Sequence, residues 1–278
     1  MPTPQHEAAI RFGCFFGTLL VMAVWEGLAP RRPLTQSQPI RWLSNLGLAL
    51  LNNLVWRLLV PAGAVGLAMT VHVRGWGLFN SVEWPTWLEI AACVVLLDLA
   101  IYGQHWLFHR VPWLWRLHLV HHVDLDFDAT TGIRFHTIET LLSFAWKAAM
   151  IALLGAPTLA VMIFEILLNA TALFNHSNAR VPLRLDRVLR LIVVTPDMHR
   201  VHHSIENHET NSNYGFCLSW WDVLFGTYDA QPDAGHDGMT IGRPEFRNAQ
   251  VEQLPFMLLL PFKRGLPPTP CPRHFSER

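Results

Sequence analysis

Apolar residues run through this chain in five stretches separated by short polar breaks, and each stretch raises the question of a membrane. A spanning helix needs about 20 mostly apolar residues. Ile10 to Ala29 meets that length, with Arg11 near its start and Glu26 near its end. It runs into Pro30-Arg31-Arg32 without a small-residue cleavage site, so it is expected to stay as a span and not be removed as a leader. Trp42 to Val73 is interrupted by Arg57 and Pro61 and is too long for one straight crossing, which predicts a kinked helix. Trp87 to His109 forms a third stretch. Ile138 to Leu154 and Pro157 to Phe174 are separated only by Gly155-Ala156, the pattern of a helical hairpin.

Composition agrees with the pattern. Only 15% of the 278 residues are charged, against about 25% in an ordinary soluble domain. The formal net charge is zero, so no nucleic-acid partner is expected. Cys14, Cys93, Cys217 and Cys271 are far apart and form no CxxC pair, which argues against both a disulfide framework and a thiolate metal site. The expected fold class is an all-α integral membrane protein with four to five transmembrane helices. Residues 1–86 hold N-terminal transmembrane helices, 87–230 the chemistry, and 231–278 a Pro/Gly-rich tail. The tail's apolar run, Leu254 to Phe262, is too short to span and is expected to lie at the interface or cover the domain.

Chemistry enters with histidine. Eight histidines fall into three boxes: His105 and His109 (HxxxH), His118, His121 and His122 (HxxHH), and His199, His202 and His203 (HxxHH). Residues three and four apart share a helix face, so each box presents its imidazoles together. Imidazole suits zinc, copper, iron and nickel. Lone histidines such as His72 or His236 are ordinarily surface or hydrogen-bonded residues, but a doubled HxxHH beside an HxxxH supplies more ligands than one ion needs. A two-metal centre follows.

Counting crossings gathers these boxes on one side. If Ile10–Ala29 crosses once, two further crossings return the chain to the Arg31–Arg41 side at the first box. The hairpin then leaves and comes back, so His136 and His176 bracket it on that same face. The positive-inside rule assigns that face to the cytoplasm. A cytoplasmic helical cap holding the di-metal site is therefore expected, with His136 and His176 as further candidate ligands.

Asp98, Tyr102, His105 and His109 form one stripe on the third span. Acidic residues inside a membrane helix are costly and usually functional. Asp98 is expected to accept a hydrogen bond from a liganding imidazole or from Tyr102. Pro112 and the Thr195-Pro196-Asp197 run are helix-start signals for the two HxxHH boxes. Asp124, Asp126, Asp128, Glu206, Glu209 and Asn213 follow those boxes as candidate partners of imidazole N–H groups or as loop caps.

These residues together resemble the fatty acid hydroxylase / sterol desaturase superfamily of membrane histidine-rich di-iron oxidases. The likeness rests on Asp98-x-x-x-Tyr102-x-x-His105, Leu114-Trp115-Arg116-x-His118, Ala129-Thr130-Thr131-Gly132-x-Arg134-Phe135-His136 and Phe174-Asn175-His176-Ser177-Asn178. It continues through Met198-His199-Arg200-x-His202-His203-Ser204, Asn211-Ser212-Asn213-Tyr214-Gly215 and Trp221-Asp222-x-Leu224-Phe225-Gly226-Thr227-Tyr228, so it covers roughly 95 to 230. Trp106 departs from the arginine common after the first box histidine. The resemblance implies two Fe ions, O2 as co-substrate, a lipid substrate hydroxylated or desaturated at a C–H bond, and a separate reductase as external electron donor. It makes 87–230 the catalytic domain, and it makes Trp106, Phe108, Phe127, Phe135 and Phe174 candidates for an apolar pocket. The competing readings are an acyl-chain desaturase of the other membrane di-iron class, a membrane metal transporter and a zinc hydrolase. Against the first stand the Asn211–Gly215 and Trp221–Tyr228 signatures; against the second, boxes at helix ends. The third leaves most of the histidines unexplained.

Overall fold

The computed structural model describes residues 4–81 and 83–269. Its regular structure is helical throughout. Helices α1 (Pro4–Leu28), α2 (Gln38–Leu59), α3 (Gly63–Arg74), α4 (Thr86–Arg110), α5 (Pro112–His122), α6 (Thr137–Leu154) and α7 (Thr158–Asn175) form the larger part. Short helices follow: α8 (Leu183–Leu189), α9 (Pro196–His202), α10 (Asn207–Thr210), α11 (Trp220–Leu224), α12 (Gly235–Gly238) and α13 (Leu254–Leu259). No strand forms among the described residues, only the isolated bridges Pro30 to Ala179, Val193 to Leu218 and Ser204 to Ile241.

Five helical stretches are long and apolar enough to cross a membrane: α1, the α2–α3 stretch, α4, α6 and α7. Their outer faces are apolar side chains turned away from the protein, with Leu28 82% and Leu58 81% exposed. Water would oppose so large an apolar surface, whereas acyl chains fit it. The chain has the build of a multi-pass membrane protein. The kink expected near Pro61 is a complete break, with Gly63 at φ +59° starting α3. Proline denies the helix an amide donor, so the ladder ends there.

Far from the histidines, the loop after α3 presses on the turn of the α6–α7 hairpin. A Cβ at Gly77 would lie 2.1 Å from the Gly155 nitrogen, and both residues have positive φ, so only glycine fits at this contact. Between these ends α3, α4, α6 and α7 share a core around Ala68, Leu97, Ile151, Val161 and Phe164. At the opposite end the tail does cover the domain. Met257 and Leu260 pack on Trp115, Leu119 and Leu48, and Arg116 donates to the Pro261 and Lys263 carbonyls.

The loop between α1 and α2 and the first turn of α2 are bound to this second end by arginines, which places the loop on the face predicted by crossing parity. Arg31 reaches Asp197 (3.1 Å), Arg32 donates to the Met239 carbonyl (2.9 Å), and Arg41 forks onto Asp124 (2.9 Å) and also pairs with Asp128. Asp126 accepts from the Thr35 and Gln36 amides. The Asp124, Asp126 and Asp128 carboxylates therefore anchor this loop, and Asp128 also caps the 3-10 turn Ala129–Ile133; none of them meets an imidazole among the described contacts. Arg41 and Asp124 are fully buried. Breaking such a pair by removing one partner costs about 3–5 kcal/mol.

Candidate metal centre

Helices α4, α5, α7 and α9 end together at the second face and bring buried imidazoles into two adjoining groups. In the first are His105, His109, His118, His122 and His202; in the second are His121, His176, His199 and His203. Within each group one donor atom per residue lies within 4.8 Å of all the others. Helical register explains the division. In α5, His118 and His122 are four apart and face the first group, while His121 is turned into the second. In α9 and its C-cap the roles reverse: His199 and His203 are four apart and face the second group, while His202 enters the first. Helix α4 adds the i, i+4 pair His105 and His109, and the end of α7 adds only His176.

The local sequence sets these helices up. Pro112 stands at the start of α5, where its missing amide costs nothing. Thr195 caps α9, its hydroxyl accepting from the Met198 amide at 3.3 Å, with Pro196 in the first turn. Both helices are short and take their stability from burial, since a few turns alone are not stable in water.

Several rings are fixed from behind. His105 Nδ1 donates to the Tyr214 carbonyl (2.8 Å), His202 Nδ1 to the Ser212 carbonyl (2.7 Å) and His176 Nδ1 to the Ala172 carbonyl (2.8 Å). His118 Nδ1 meets Glu139 Oε1 at 2.6 Å. These contacts turn Nε2 inward, and the Nε2 atoms of His105, His118, His202 and His203 are buried without a hydrogen-bond partner. Elsewhere nitrogens crowd together: His109 and His122 Nε2 are 3.1 Å apart, as are His121 and His176 Nε2, and His176 and His199 Nε2. Two nitrogens on one ion at about 2.1 Å would stand roughly 3.0–3.4 Å apart. The orphaned nitrogens, their spacing and the all-imidazole donor set fit a metal ion in each group.

Electrostatics favour the metal-binding form. Burial holds His118 and His176 down to about 3. Burial, reinforced by neighbouring imidazoles, holds His121, His122, His199, His202 and His203 well below the ordinary histidine range. These rings are neutral at pH 7, the state in which a nitrogen lone pair is free to bind.

The remaining candidates sort differently. His136 joins neither group. It caps α6 through Nδ1, which accepts from the Ile138 amide at 3.2 Å, and its Nε2 faces the Leu258 carbonyl at 3.3 Å, so both ring nitrogens are engaged away from the centre. Asp98 bonds no imidazole and not Tyr102. Its oxygens accept from the Cys217 and Leu218 amides and from Trp221 Nε1 (2.8 Å), which ties α4 to the segment before α11. Tyr102 instead meets Thr227 Oγ1 at 2.9 Å. The stripe is buried, but the polar partners of Asp98, Tyr102 and His105 lie more than a hundred residues downstream. Asn213, at φ +49°, donates to the Met198 and Asp229 carbonyls and holds the loop after α10. Glu209 accepts from the Asp233 amide, while Glu206 starts α10 as its N-cap.

Aromatic rings close the centre. Tyr214 and Trp115 lie against the first group, with Tyr214 5.1 Å and Trp115 4.9 Å from His109. Phe135 stacks on His121 at 4.5 Å, and Phe127 sits 5.0 Å from His203. Phe108 touches His118, Trp106 lies under Arg110, and Phe174 packs with Leu19 and Met22 instead of the histidines. Two contributors are hard to read from sequence. Glu139 in a helix's first turn passes for an ordinary dipole-complementing acid, and Phe216 carries no motif. Yet Phe216 lies 6.3 Å from His105 and 6.4 Å from His176, between the two groups on the side of the membrane core. A third cluster, His208, Glu209 and Asp233, is a surface feature in which His208 Nε2 already meets Asp233 at 3.0 Å. Cys14, Cys93 and Cys217 are free thiols, and Cys271 lies outside the described residues.

An all-helical membrane architecture closed by two buried imidazole groups defines a class of membrane metalloprotein, and comparison with known proteins places the chain within it. Residues 90–227 match the family model described as Fatty acid hydroxylase. The chain is 30% identical over 228 residues to the Ornithine lipid hydroxylase OlsE of Rhizobium tropici, covering 78% of this chain and 66% of the relative. Against Alkylglycerol monooxygenase of Xenopus tropicalis it is 27% identical over 265 residues, 91% of this chain and 53% of the relative. Against a Cholesterol 25-hydroxylase-like protein of Danio rerio it is 31% identical over 142 residues, 50% of this chain and 55% of the relative. The matches thus cover between about half and two thirds of these relatives. No solved structure matches the chain significantly. This chain belongs to the fatty acid hydroxylase superfamily.

Proposed function

We propose that this chain is a membrane-bound non-haem di-iron oxidoreductase that uses O2 to hydroxylate a C–H bond of a lipid. The observation that carries the reading is the pair of adjoining, fully buried imidazole groups, with ring nitrogens fixed from behind and donor nitrogens left inward. The relatives support the substrate class: their names describe hydroxylation of an ornithine lipid, oxygenation of an alkylglycerol and hydroxylation of cholesterol. Two of these names specify a hydroxylase and one a monooxygenase, which favours hydroxylation over desaturation.

In this reading His105, His109, His118, His122 and His202 hold one iron, and His121, His176, His199 and His203 hold the other. Two irons there would supply reductive activation of O2, one oxygen atom entering the C–H bond and the other leaving as water with two electrons and two protons from a donor. The protein's own part is to fix the imidazoles and keep the reaction dry. Glu139 and the Tyr214, Ser212 and Ala172 carbonyls set ring orientation. Phe127, Phe135, Tyr214 and Trp115 exclude water around the nitrogens. A lipid chain would approach from the membrane core of α4, α6 and α7, past Phe216, which stands between the groups on that side. Electrons would come from a separate reductase.

We assign the metal face to the cytoplasm. The segments on that face carry Arg31, Arg32, Arg41, Arg110, Arg116 and Arg134, while the opposite face has only Arg74 at the end of α3 and Arg11 near the start of α1. Residues 87–230 would be the catalytic domain, with 1–86 supplying membrane helices and 231–278 a covering tail.

Metal analysis with lipid profiling under labelled oxygen tests the proposal. About two irons per chain and one labelled oxygen atom in a new lipid alcohol are expected, given an added reductant. Stoichiometric zinc, with no labelled lipid after reconstitution with iron and reductant, would contradict it.

A further inference from the structure

Outside the metal centre, the metal face carries an apolar ledge that neither the core nor the histidines use. Leu191, Ile192, Trp220, Val223 and Leu224 are exposed, Leu191 by 70% and Leu224 by 68%. They form one surface because the chain segments carrying them are bonded side by side: Trp220 Nε1 donates to the Leu191 carbonyl (2.8 Å), and the Ser219 amide to the Ile192 carbonyl. The ledge continues the lipid-facing side of a span. Phe225, the C-cap of α11, stacks on Tyr102 of α4 at 5.3 Å. Tyr102 is eight residues before the metal-side end of α4, or roughly 12 Å along its axis. The ledge therefore lies at a depth where the span itself meets acyl chains and head groups.

Beside the ledge, α8 exposes Leu183, Leu185 and Val188 and adds positive charge to the apolar surface. Arg184 and Arg187 are exposed on it, three residues apart. A cleft of about 370 Å³ opens there, lined by Leu183, Asp186, Arg187, Arg190 and Tyr228 among others. Arg190 is largely buried; it is paired with Asp186 at 2.6 Å and donates from Nη1 to the Ala230 carbonyl. Its Nη2 is buried without a hydrogen-bond partner. Asp186 neutralises one guanidinium, so Arg187 leaves the cleft with an uncompensated positive charge. A guanidinium facing a cleft beside an apolar ledge matches an anionic phosphate whose acyl chains lie on that ledge.

We propose that the cleft between α8 and Tyr228 binds the phosphate of an anionic phospholipid, with its acyl chains along the ledge of α11 and residues 191–192. This site is separate from the two imidazole groups, and the proposal needs no turnover, so it stands or falls apart from the hydroxylase reading.

The test is native mass spectrometry of the full chain extracted from bilayers containing both phosphatidylglycerol and phosphatidylcholine. The wild-type protein should retain phosphatidylglycerol in preference to phosphatidylcholine. Arg187→Gln should lower that retention about fivefold, and Arg187→Lys should keep most of it, because the effect is that of one cationic side chain near an anionic head group. Metal content, unchanged in both variants, shows that the fold is intact. Equal retention of the two lipids by the wild-type protein, or undiminished phosphatidylglycerol on Arg187→Gln, would overturn the proposal. So would displacement of phosphatidylglycerol by millimolar inorganic phosphate alone, which would make the cleft a site for free phosphate.

Discussion

The five-histidine group and the four-histidine group draw on the same two helices in opposite register. Helix α5 gives two rings to the first and one to the second, and α9 with its cap does the reverse. The difference comes from the membrane helices, since α4 contributes His105 and His109 to the first group and α7 ends in the single His176 of the second. The supports differ too. A carboxylate, Glu139, backs His118 in the first group, whereas the backing contact of the second is the Ala172 carbonyl behind His176. A carboxylate behind an imidazole raises its basicity as a ligand more than a neutral carbonyl does. The comparison teaches that one three-histidine motif, used twice in opposite senses, can build two unequal sites.

Neighbouring rings provide the sharpest way to break this comparison. His122→Ala should empty the first group and His121→Ala the second, each lowering iron from about two per chain towards one and activity by at least about a hundredfold. If both variants lost both irons to the same extent, the two groups would not be separable sites. His136→Ala, by contrast, should keep both irons, because that ring caps α6 and faces the tail.

Next in size is Arg41→Met, which leaves every histidine in place and removes the guanidinium buried against Asp124 and Asp128. It should destabilise the metal-face domain by about 3–5 kcal/mol, read as a fall in the unfolding midpoint, and should weaken both groups equally. A loss confined to one group would show that the start of α2 serves that group alone.

Glu139→Gln should act on the first group only, lowering its metal affinity about 10–100-fold while the second group keeps its own. Competition with a graded set of chelators measures the two affinities. Equal weakening of both would place Glu139 in a general structural role.

The most gradual effect is that of pH on the metal-free chain. The folded state holds His118 and His176 down to about 3, whereas unfolded histidines titrate near about 6.5. Between those values the unfolded chain binds more protons than the folded one, so stability falls as pH drops below about 6.5 and goes on falling towards about 3. Because both groups contain such rings, neither should show a separate transition. Thermal unfolding at stepped pH would reveal it, and a flat profile across that window would contradict the neutral, buried imidazoles.

Much of this arrangement was legible along the chain because it is local. Three boxes, the α6–α7 hairpin, the start of α9 at Thr195-Pro196 and the buried stripe of Asp98, Tyr102, His105 and His109 all follow from helical period and capping. Crossing parity also brought the boxes to the face of the Arg31–Arg41 loop, where the structure finds that loop bonded to Asp124 and Asp197. What escaped is contact between distant segments. Asp98 lies in the expected stripe, yet its partners are Cys217, Leu218 and Trp221, and no local pattern pairs residues so far apart. His136 and His176 flank the hairpin alike, but one ring turns to the tail at Leu258 and the other to the second group. Glu139 and Phe216 sit in positions where an ordinary helix-start acid or apolar residue would look the same.

The central claim is that register divides these histidines between two adjoining metal ions. Anomalous diffraction at the iron edge from crystals of the full chain tests it most directly. The account predicts two peaks, one enclosed by His105, His109, His118, His122 and His202 and the other by His121, His176, His199 and His203. A single peak shared by all of these rings, or a peak only at the surface cluster of His208, Glu209 and Asp233, would contradict it.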